Sequence, residues 1–211
     1  MQIPTNLDHI VVATPHLDRT VTSFETATGV RAKPGGIHPR FGTRNFLVAL
    51  GSSAYLQIVG VDVDLVEPEA DISFWGLDTI YAPTVRTFAV HSVDPEGALL
   101  RAVAAGIDLG PLELGARRSP KGDLLTWRLT RPLTADPTGV LPFLMDWGNS
   151  VSPAESTAAH ADLVDFRLTH PNPVELRRLL EVLETDPRVV EGNFASLALT
   201  VAGPAGQWSL G

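Results

Sequence analysis

Two polar side chains, His9 and Gln57, stand inside short segments in which apolar residues alternate, residues 7–12 and 55–59. Successive side chains of a strand point to opposite faces, so if Ile10 packs against a helix, His9 lies on the other face. The same parity places Gln57 there. An imidazole and a carboxamide on one sheet face could bind a divalent ion or hydrogen-bond a substrate; alternatively, His9 is a structural histidine satisfied by a polar neighbour. The other side chains expected on this face are Leu7, Val11, Tyr55 and Val59.

A glycine-rich loop, residues 34–45, follows the first predicted helix and contains His38 and Asn45. Glycine lets the backbone approach a bound molecule closely. The two side chains are therefore expected to contact a ligand, and ordinary turn chemistry is the alternative. The spacing of the glycines fits neither the P-loop nor the dinucleotide-binding fingerprint, so we expect no nucleotide cofactor.

A second group of polar residues lies further along the chain. The strand predicted over residues 141–147 contains Asp146, and its register decides whether Asp146 or Met145 faces the pocket. In the preceding predicted strand Arg128 follows Trp127, so alternation sends one side chain to the pocket and the other to the helix layer. We expect Trp127 in the core and Arg128 in the pocket.

The apolar pattern of the opening strand recurs twice. The echoes start at residues 10, 88 and 166, which are each 78 residues apart. Each copy continues into a turn signal and a helix-like segment, and Gly29 stands where a helix commonly ends. Only the first copy carries a histidine equivalent to His9. The repeat indicates a shared scaffold with one chemically distinctive copy. The predicted helices are residues 17–28, 95–105 and 173–184.

The repeat also predicts the domain organisation. Two modules, about residues 5–62 and 84–149, form one domain over residues 1–150. Residues 151–162 are rich in Ser, Pro, Ala and Thr and read as a linker. Residues 163–211 form a third, partial βαββ module, which is expected to pack on the main domain or on a partner chain. The predicted strands outside residues 7–12 are 46–50, 55–59, 86–91, 124–129, 141–147, 196–201 and 207–210.

An acidic, proline-containing connection, residues 61–84, joins the first two copies and contains Phe74 and Trp75. Loop aromatic residues usually cover apolar edges. They can also line the mouth of a pocket, and the sequence leaves both interpretations open.

Composition excludes several classes of function. The chain has 211 residues, a formal net charge of −8 and no cysteine. The absence of cysteine excludes disulfides, thiolate metal sites and a cysteine nucleophile, and the acidic balance disfavours nucleic acid as a partner. No apolar run approaches the roughly 20 residues that cross a bilayer, and no signal peptide is recognisable. We expect a cytoplasmic protein with no membrane or nucleic-acid partner.

Four segments carry a family resemblance: LDHIVV at residues 7–12, GGIHPRFGTRN at 35–45, YLQIVG at 55–60 and LPFLMDWG at 141–148. Together they resemble a glyoxalase-like domain protein of the vicinal oxygen chelate superfamily. The resemblance implies an α+β fold in which paired βαβββ modules curl into a half-open barrel around a ligand.

In metal-dependent members of that superfamily, four side chains bind the ion, one from the first and one from the last strand of each module. His9 and Gln57 match the two positions of the first module. In the second module the first position falls at Thr87 or Phe88, and the last falls near Met145 or Asp146.

The resemblance therefore implies a lyase, isomerase or dioxygenase that acts on a small oxygenated substrate. His9 and Gln57 would be the catalytic residues and would hold a divalent ion (Zn, Mn, Fe or Ni), with Asp146 as a further metal ligand. The ion would polarise the substrate as a Lewis acid. The expected substrate-binding residues are His38, Asn45, Tyr55, Arg128 and Trp147.

Two alternatives stay open. The protein could be a metal-free binding protein that sequesters an apolar or aromatic compound, with Trp75 and Trp147 stacking on it. It could also be a structural or regulatory module whose pocket is vestigial and filled. Besides the small-molecule ligand, a homodimer is expected.

Overall fold

A computed structural model of the chain describes residues 3–62, 64, 70–118 and 124–211. The first module begins with a strand and a helix, and the helix ends at Gly29 as predicted. The positive φ of 71° at Gly29 lets its N–H reach the carbonyl of Glu25 at 2.8 Å. The elements of this module are β1 (Leu7–Thr14), α1 (Leu17–Thr28), β2 (Lys33–His38), β3 (Thr43–Ala49) and β4 (Tyr55–Val61).

The second module repeats this order. Its helix has Pro95 in the first turn and Asp94 at the N-cap, where the carboxylate accepts from the N–H of Gly97 at 3.0 Å, a standard way of starting a helix. The elements are β5 (Thr84–His91), α2 (Pro95–Ala104), β6 (Leu112–Arg118), β7 (Leu124–Thr130) and β8 (Phe143–Asp146).

The two modules form one curled eight-stranded sheet in the order β2-β3-β4-β1-β5-β8-β7-β6. Within each module the first strand pairs in parallel with the last, β1 with β4 and β5 with β8. The modules meet where β1 pairs antiparallel with β5. The predicted pair of βαβββ modules in a half-open barrel is confirmed.

The element predictions missed β2 and β6. Both are edge strands, since β2 pairs only with β3 and β6 only with β7. An edge strand tolerates proline and glycine because one row of its backbone groups needs no partner. The Pro34-Gly35-Gly36 run in β2 therefore reads as a loop in the sequence although it forms a strand.

A separate four-stranded sheet follows at the carboxyl end. Its first strand is interior, flanked by one parallel and one antiparallel neighbour, in the order β10-β9-β11-β12. Its parallel neighbour is the strand that follows the helix, whereas in the two modules the first strand pairs in parallel with the last. That strand, β10, was not among the predicted strands. The elements from residue 153 onward are α3 (Pro153–Ser156), β9 (Asp162–His170), α4 (Pro173–Val182), β10 (Arg188–Glu191), β11 (Ser196–Gly203) and β12 (Gly206–Leu210).

The larger apolar cluster joins the two sheets. Ile10 and Val12 of β1 lie in it with residues of α1, α2 and the C-terminal sheet, and we call this side the helix-covered face. The rings of Phe88 and Phe166 lie 5.3 Å apart across the junction, edge to face. The C-terminal sheet thus packs on the main domain through a shared core.

The opposite side of β1 is the pocket face, where Val11 and Ala13 belong to a second apolar cluster. Leu7 was predicted on this face but lies in the larger cluster. Its pairing explains the difference: Leu7 opposes Val90 while His9 opposes Ala89, so β1 has one extra residue at this point. Such a bulge reverses the facing of the side chains before it.

The segment predicted as a linker, residues 151–162, contains α3 and then runs beside the end of β3. The N–H of Ala49 donates to the carbonyl of Ala159 at 2.7 Å, and the N–H of Ala161 donates to the carbonyl of Ala49 at 3.0 Å. Within the described ranges, no helix combines the length and the apolar character needed to span a membrane.

Candidate functional site

A cavity of about 170 Å³ opens on the pocket face of the eight-stranded sheet. Strands of both modules line it, and aromatic rings make up much of its wall. Of the predicted residues, it receives His9, Gln57, His38, Asn45, Tyr55 and Trp147. The other aromatic residues that line it are Phe41, Phe74, Trp75, Trp127 and Phe143.

His9 is held by its sequence neighbour, Asp8. Asp8 Oδ1 lies 2.6 Å from His9 Nδ1, and Asp8 Oδ2 accepts from Trp147 Nε1 at 2.9 Å. Both Asp8 and His9 are only 2% exposed. A carboxylate can only accept, so Nδ1 carries a proton, and in the neutral imidazole Nε2 is then an acceptor. His9 Nε2 has no hydrogen-bond partner among the described residues.

Two rings fix the plane of the imidazole. Tyr55, opposite His9 on β4, stacks on it with the ring centroids 4.6 Å apart and the planes 16° from parallel. Phe143 of β8 meets it edge to face at 5.4 Å. With Asp8 on Nδ1, this packing orients His9 and places it on the wall of the cavity.

Gln57 is held by a second amide, that of Asn45. Asn45 Nδ2 donates to Gln57 Oε1 at 3.0 Å, and Gln57 Nε2 has no partner in the described part of the chain. A Cβ placed on Gly35 would collide with Asn45 Oδ1. Residue 35 must therefore be glycine for the Asn45 side chain to occupy this position.

The loop between the modules covers one side of the cavity. Phe74 stacks on Phe41 at 3.9 Å and meets Trp75 edge to face at 4.8 Å. Both Phe74 and Trp75 belong to the apolar cluster of the pocket face and also line the cavity. The two interpretations that the sequence left open are therefore both correct.

Arg131 fastens this loop to the second module. Its guanidinium lies 5.2 Å from the centroid of Phe74 and donates to Asp71 Oδ2 at 2.7 Å. A hydrogen bond from the Ser73 hydroxyl lowers the pKa of the Asp71 carboxyl, and the hydrogen bond and charge of Arg131 lower it further. The two donors thus stabilise the ionised form of the Asp71 carboxyl.

The cavity rim is crossed by a weak ion pair. Arg40 of the first module and Glu113 of β6 approach to 3.5 Å and are both partly exposed. His38 lies beside them, with Nδ1 3.3 Å from the hydroxyl of Thr43. These contacts place the edges of the two modules close together at the opening.

Arg128 and Asp146 do not line the cavity. The prediction that Arg128 faces the pocket is therefore wrong, and of the two residues that the register left open, Met145 faces the pocket and Asp146 does not. Arg128 Nη2 donates to Asp146 Oδ2 at 2.7 Å, and Arg128 also binds Glu96. The hydrogen bonds to Glu96 and Asp146 raise the pKa of Arg128. Strand alternation carries Trp127 and Met145 inward instead, because the pocket face is the other side of β7 and β8.

The arrangement does not fit the metal centre that the resemblance implied. The described residues contain no group of three or more His, Asp, Glu or Cys side chains that could hold an ion. Of the three proposed ligands, Asp146 is paired with Arg128, and Gln57 Oε1 accepts from Asn45. Among these three residues, only His9 Nε2 is an acceptor without a partner, and one neutral nitrogen with a neutral amide oxygen is a small donor set for a divalent cation.

Sequence reasoning did not select Asp8 as a site residue. Regular alternation puts neighbouring residues on opposite faces, and nothing local signals the bulge that brings Asp8 and His9 together. The pair was nevertheless visible as adjacent acid and base in an apolar strand. Glu113 and Arg131 were missed because their position depends on how the two modules meet.

Comparison with known proteins agrees with this architecture. Residues 7–184 match the family model described as the glyoxalase-like domain. The chain belongs to the glyoxalase-like domain family. No curated protein sequence matches it significantly.

Solved structures resemble this chain as well. A hypothetical protein from Staphylococcus aureus has the same fold, with a TM-score of 0.64 at 16% identity over 98% of this chain and 85% of that chain. Methylmalonyl-CoA epimerase from Mycobacterium tuberculosis gives a TM-score of 0.43 and 23% identity over 70% of this chain and 93% of that one. A variant of the Streptomyces coelicolor methylmalonyl-CoA epimerase, in complex with 2-nitronate-propionyl-CoA, gives 0.43 and 21% over 68% and 97%.

Proposed function

We propose that this protein binds a compact aromatic molecule carrying an oxygen substituent, in the cavity on the pocket face and without a metal ion. The size and wall of the cavity support this ligand. Its volume is about 170 Å³, and a dry apolar cavity of about 150 Å³ accommodates benzene. Aromatic walls with a few placed polar groups are typical of small-molecule sites.

The observation that carries the proposal is that His9 Nε2 has no hydrogen-bond partner among the described residues and belongs to a residue that lines this aromatic cavity. A buried polar atom without a hydrogen bond costs about 1–3 kcal/mol, and a ligand that supplies the partner recovers that free energy. Three of the four tryptophans line the same cavity, namely Trp75, Trp127 and Trp147. Flat apolar surface and one oriented acceptor favour an aromatic ligand over a flexible polar one.

The metal-dependent lyase, isomerase or dioxygenase is supported by the family alone, and the side chains around His9 do not supply its ligand set. We therefore place metal-free binding first. The homodimer and the cytoplasmic location stay predictions from the sequence.

Ligand-observed ¹⁹F NMR with 4-fluorotoluene, 4-fluoroanisole and 4-fluorophenol tests the proposal. The ¹⁹F resonance of at least one probe should broaden when the wild-type protein is added. It should stay sharp when Leu129→Trp is added instead. Leu129 lines the cavity and is 9% exposed, so an indole there fills the space.

Leu124→Trp is the matched control. Leu124 lies in the same strand, is 60% exposed and does not line the cavity, so this variant should bind as the wild type does. Binding that is absent, or that survives Leu129→Trp unchanged, contradicts the proposal.

A further inference from the structure

We propose that the cavity selects its ligand by a hydroxyl group, which donates to His9 Nε2 and accepts from Gln57 Nε2. The ligand class is then an aromatic alcohol such as a phenol, and not its O-methyl ether. This inference rests on the proposed function and specifies the polar group that the site recognises.

The first step is the hydrogen-bonding state of His9. Asp8 Oδ1 lies 2.6 Å from Nδ1, and Trp147 Nε1 donates to the other carboxylate oxygen at 2.9 Å. The carboxylate therefore has a donor on each oxygen and stays in place. Because Nδ1 is the donor toward Asp8, Nε2 of the neutral imidazole presents a lone pair to the cavity. The ligand must bring a donor to this atom.

The second step is the identity of the free atom of Gln57. Asn45 Oδ1 lies next to the position that a Cβ on Gly35 would occupy, on the α-carbon side of that residue. A carbonyl oxygen there can accept weakly from Cα–H, whereas an NH₂ group could not. This fixes Asn45 Nδ2 as the donor to Gln57 Oε1, so the atom of Gln57 without a partner in the described chain is the NH₂ donor.

The unpartnered atoms of His9 and Gln57 thus differ in kind: His9 Nε2 is an acceptor and Gln57 Nε2 is a donor. Trp75 Nε1 and Asn45 Oδ1 also lack a partner among the described residues. The strands of His9 and Gln57, β1 and β4, are neighbours, with Val11 opposite Gln57 and His9 opposite Tyr55. A carbonyl or ether oxygen satisfies Gln57 but leaves His9 without a donor. An ammonium group satisfies His9 but gives Gln57 no acceptor. A hydroxyl both donates and accepts, so it satisfies both residues at once.

The ring of such a ligand would lie among the aromatic side chains of the cavity. The carboxylate beside His9, that of Asp8, already has a donor on each oxygen, and Glu113, which also lines the cavity, pairs with Arg40 at the rim. Recognition therefore depends on one hydroxyl and one flat apolar body, which is the composition of a simple phenol.

The test compares 4-fluorophenol with 4-fluoroanisole by ¹⁹F NMR titration. The two probes share the fluorinated ring and its oxygen, and in 4-fluoroanisole a methyl group replaces the hydroxyl hydrogen; 4-fluorotoluene shows whether the cavity admits a ring that carries a methyl group. The wild type should bind 4-fluorophenol about tenfold or more tightly, the factor expected when a buried acceptor is left unpaired. His9→Phe should lower the affinity for 4-fluorophenol and leave that for 4-fluoroanisole nearly unchanged, so that the preference disappears.

If His9 had a purely structural role, His9→Phe would weaken the binding of both probes. Comparing the two probes therefore separates a structural role of His9 from recognition of the hydroxyl group. His160→Phe is the matched control, since His160 is exposed and lies outside the cavity, and it should keep the wild-type preference. If His9→Phe fails to fold, the wild-type comparison of the two probes is still decisive.

Equal binding of the two probes, or tighter binding of 4-fluoroanisole, overturns the hydroxyl inference. The proposed function survives that result if Leu129→Trp still abolishes the binding. Failure of every probe to bind overturns both.

Discussion

Asp8 Oδ1 lies 2.6 Å from His9 Nδ1, although the two residues are neighbours in one strand. In a regular strand they would point to opposite faces. The bulge in β1 lies between Leu7 and His9, the partners of the adjacent residues Val90 and Ala89, and it turns Asp8 and His9 toward the same side. The contact between Asp8 and His9 therefore depends on one irregularity of the backbone.

Asp8→Ala should destabilise the fold by about 3 kcal/mol, because it leaves a buried donor on His9 and a partly buried donor on Trp147 without their acceptor. Urea unfolding followed by circular dichroism measures the change. Asp18→Ala is the control: the Asp18 side chain is 76% exposed and pairs with Arg44 at the surface, so its loss should cost less than about 1 kcal/mol. Equal effects of the two substitutions would show that Asp8 is not an essential acceptor.

Phe166→Ala should lower the free energy of unfolding of the whole chain by about 3–5 kcal/mol, the usual cost of removing a buried ring. Phe166 is 0% exposed and lies between the two sheets, against Phe88. Phe194→Ala is the matched control, since Phe194 is 80% exposed, and should be nearly neutral. A variant that unfolds the C-terminal sheet alone, in a separate early transition, would contradict a shared core.

The stability contributed by Asp71 should depend on pH. The folded-state pKa of Asp71 lies below its ordinary value of 3.8, because Ser73 and Arg131 donate to the carboxylate. The contribution is therefore fully present above about pH 5 and is lost as the pH falls through the folded-state pKa. The difference in unfolding free energy between wild type and Asp71→Asn should be at most about 1 kcal/mol at pH 7 and should shrink below about pH 4.

Arg131→Gln removes one of the two donors to Asp71, so in that background the pH dependence of the Asp71→Asn effect should become shallower. A difference that stays constant from about pH 7 to about pH 2.5 contradicts the assignment of the lowered pKa.

Gly115→Ala should disturb the cavity wall. A Cβ at this position would collide with Trp127 Nε1, so the indole that lines the cavity must move. We expect at least about a fivefold loss of affinity for the preferred fluorinated probe, an energy difference of about 1 kcal/mol, with little change in stability. Thr126→Ala, in the facing strand, should bind normally because Thr126 is exposed and does not line the cavity. Unchanged affinity in Gly115→Ala would mean that Trp127 does not contact the ligand.

Zinc binding should be weak and independent of His9. Isothermal titration calorimetry with ZnCl₂ should give no difference between the wild type and His9→Phe, because the described residues around His9 do not supply a second and third ligand. One equivalent of Zn²⁺ bound with micromolar affinity and lost in His9→Phe would restore the metal-dependent interpretation.

Much of the scaffold could be predicted from the sequence. The recurrence of apolar pairs at 78-residue intervals identified two equivalent modules, because a repeated strand and helix must repeat their buried positions. The parity of β4 correctly placed Tyr55 and Gln57 on the face of His9, since a regular strand has a fixed period of two. Gly29 marked the end of α1 because few other residues adopt a positive φ there.

The composition of the site was decided by tertiary structure. Arg128 and Asp146 face away from the cavity because the register of β7 against β8 turns Trp127 and Met145 inward. Pairing between strands far apart in sequence sets that register, and no local pattern encodes it. The bulge that joins Asp8 to His9 likewise exists only through the pairing of β1 with β5. The sequence alone determined where the pocket lies, and long-range strand pairing determined which side chains reach it.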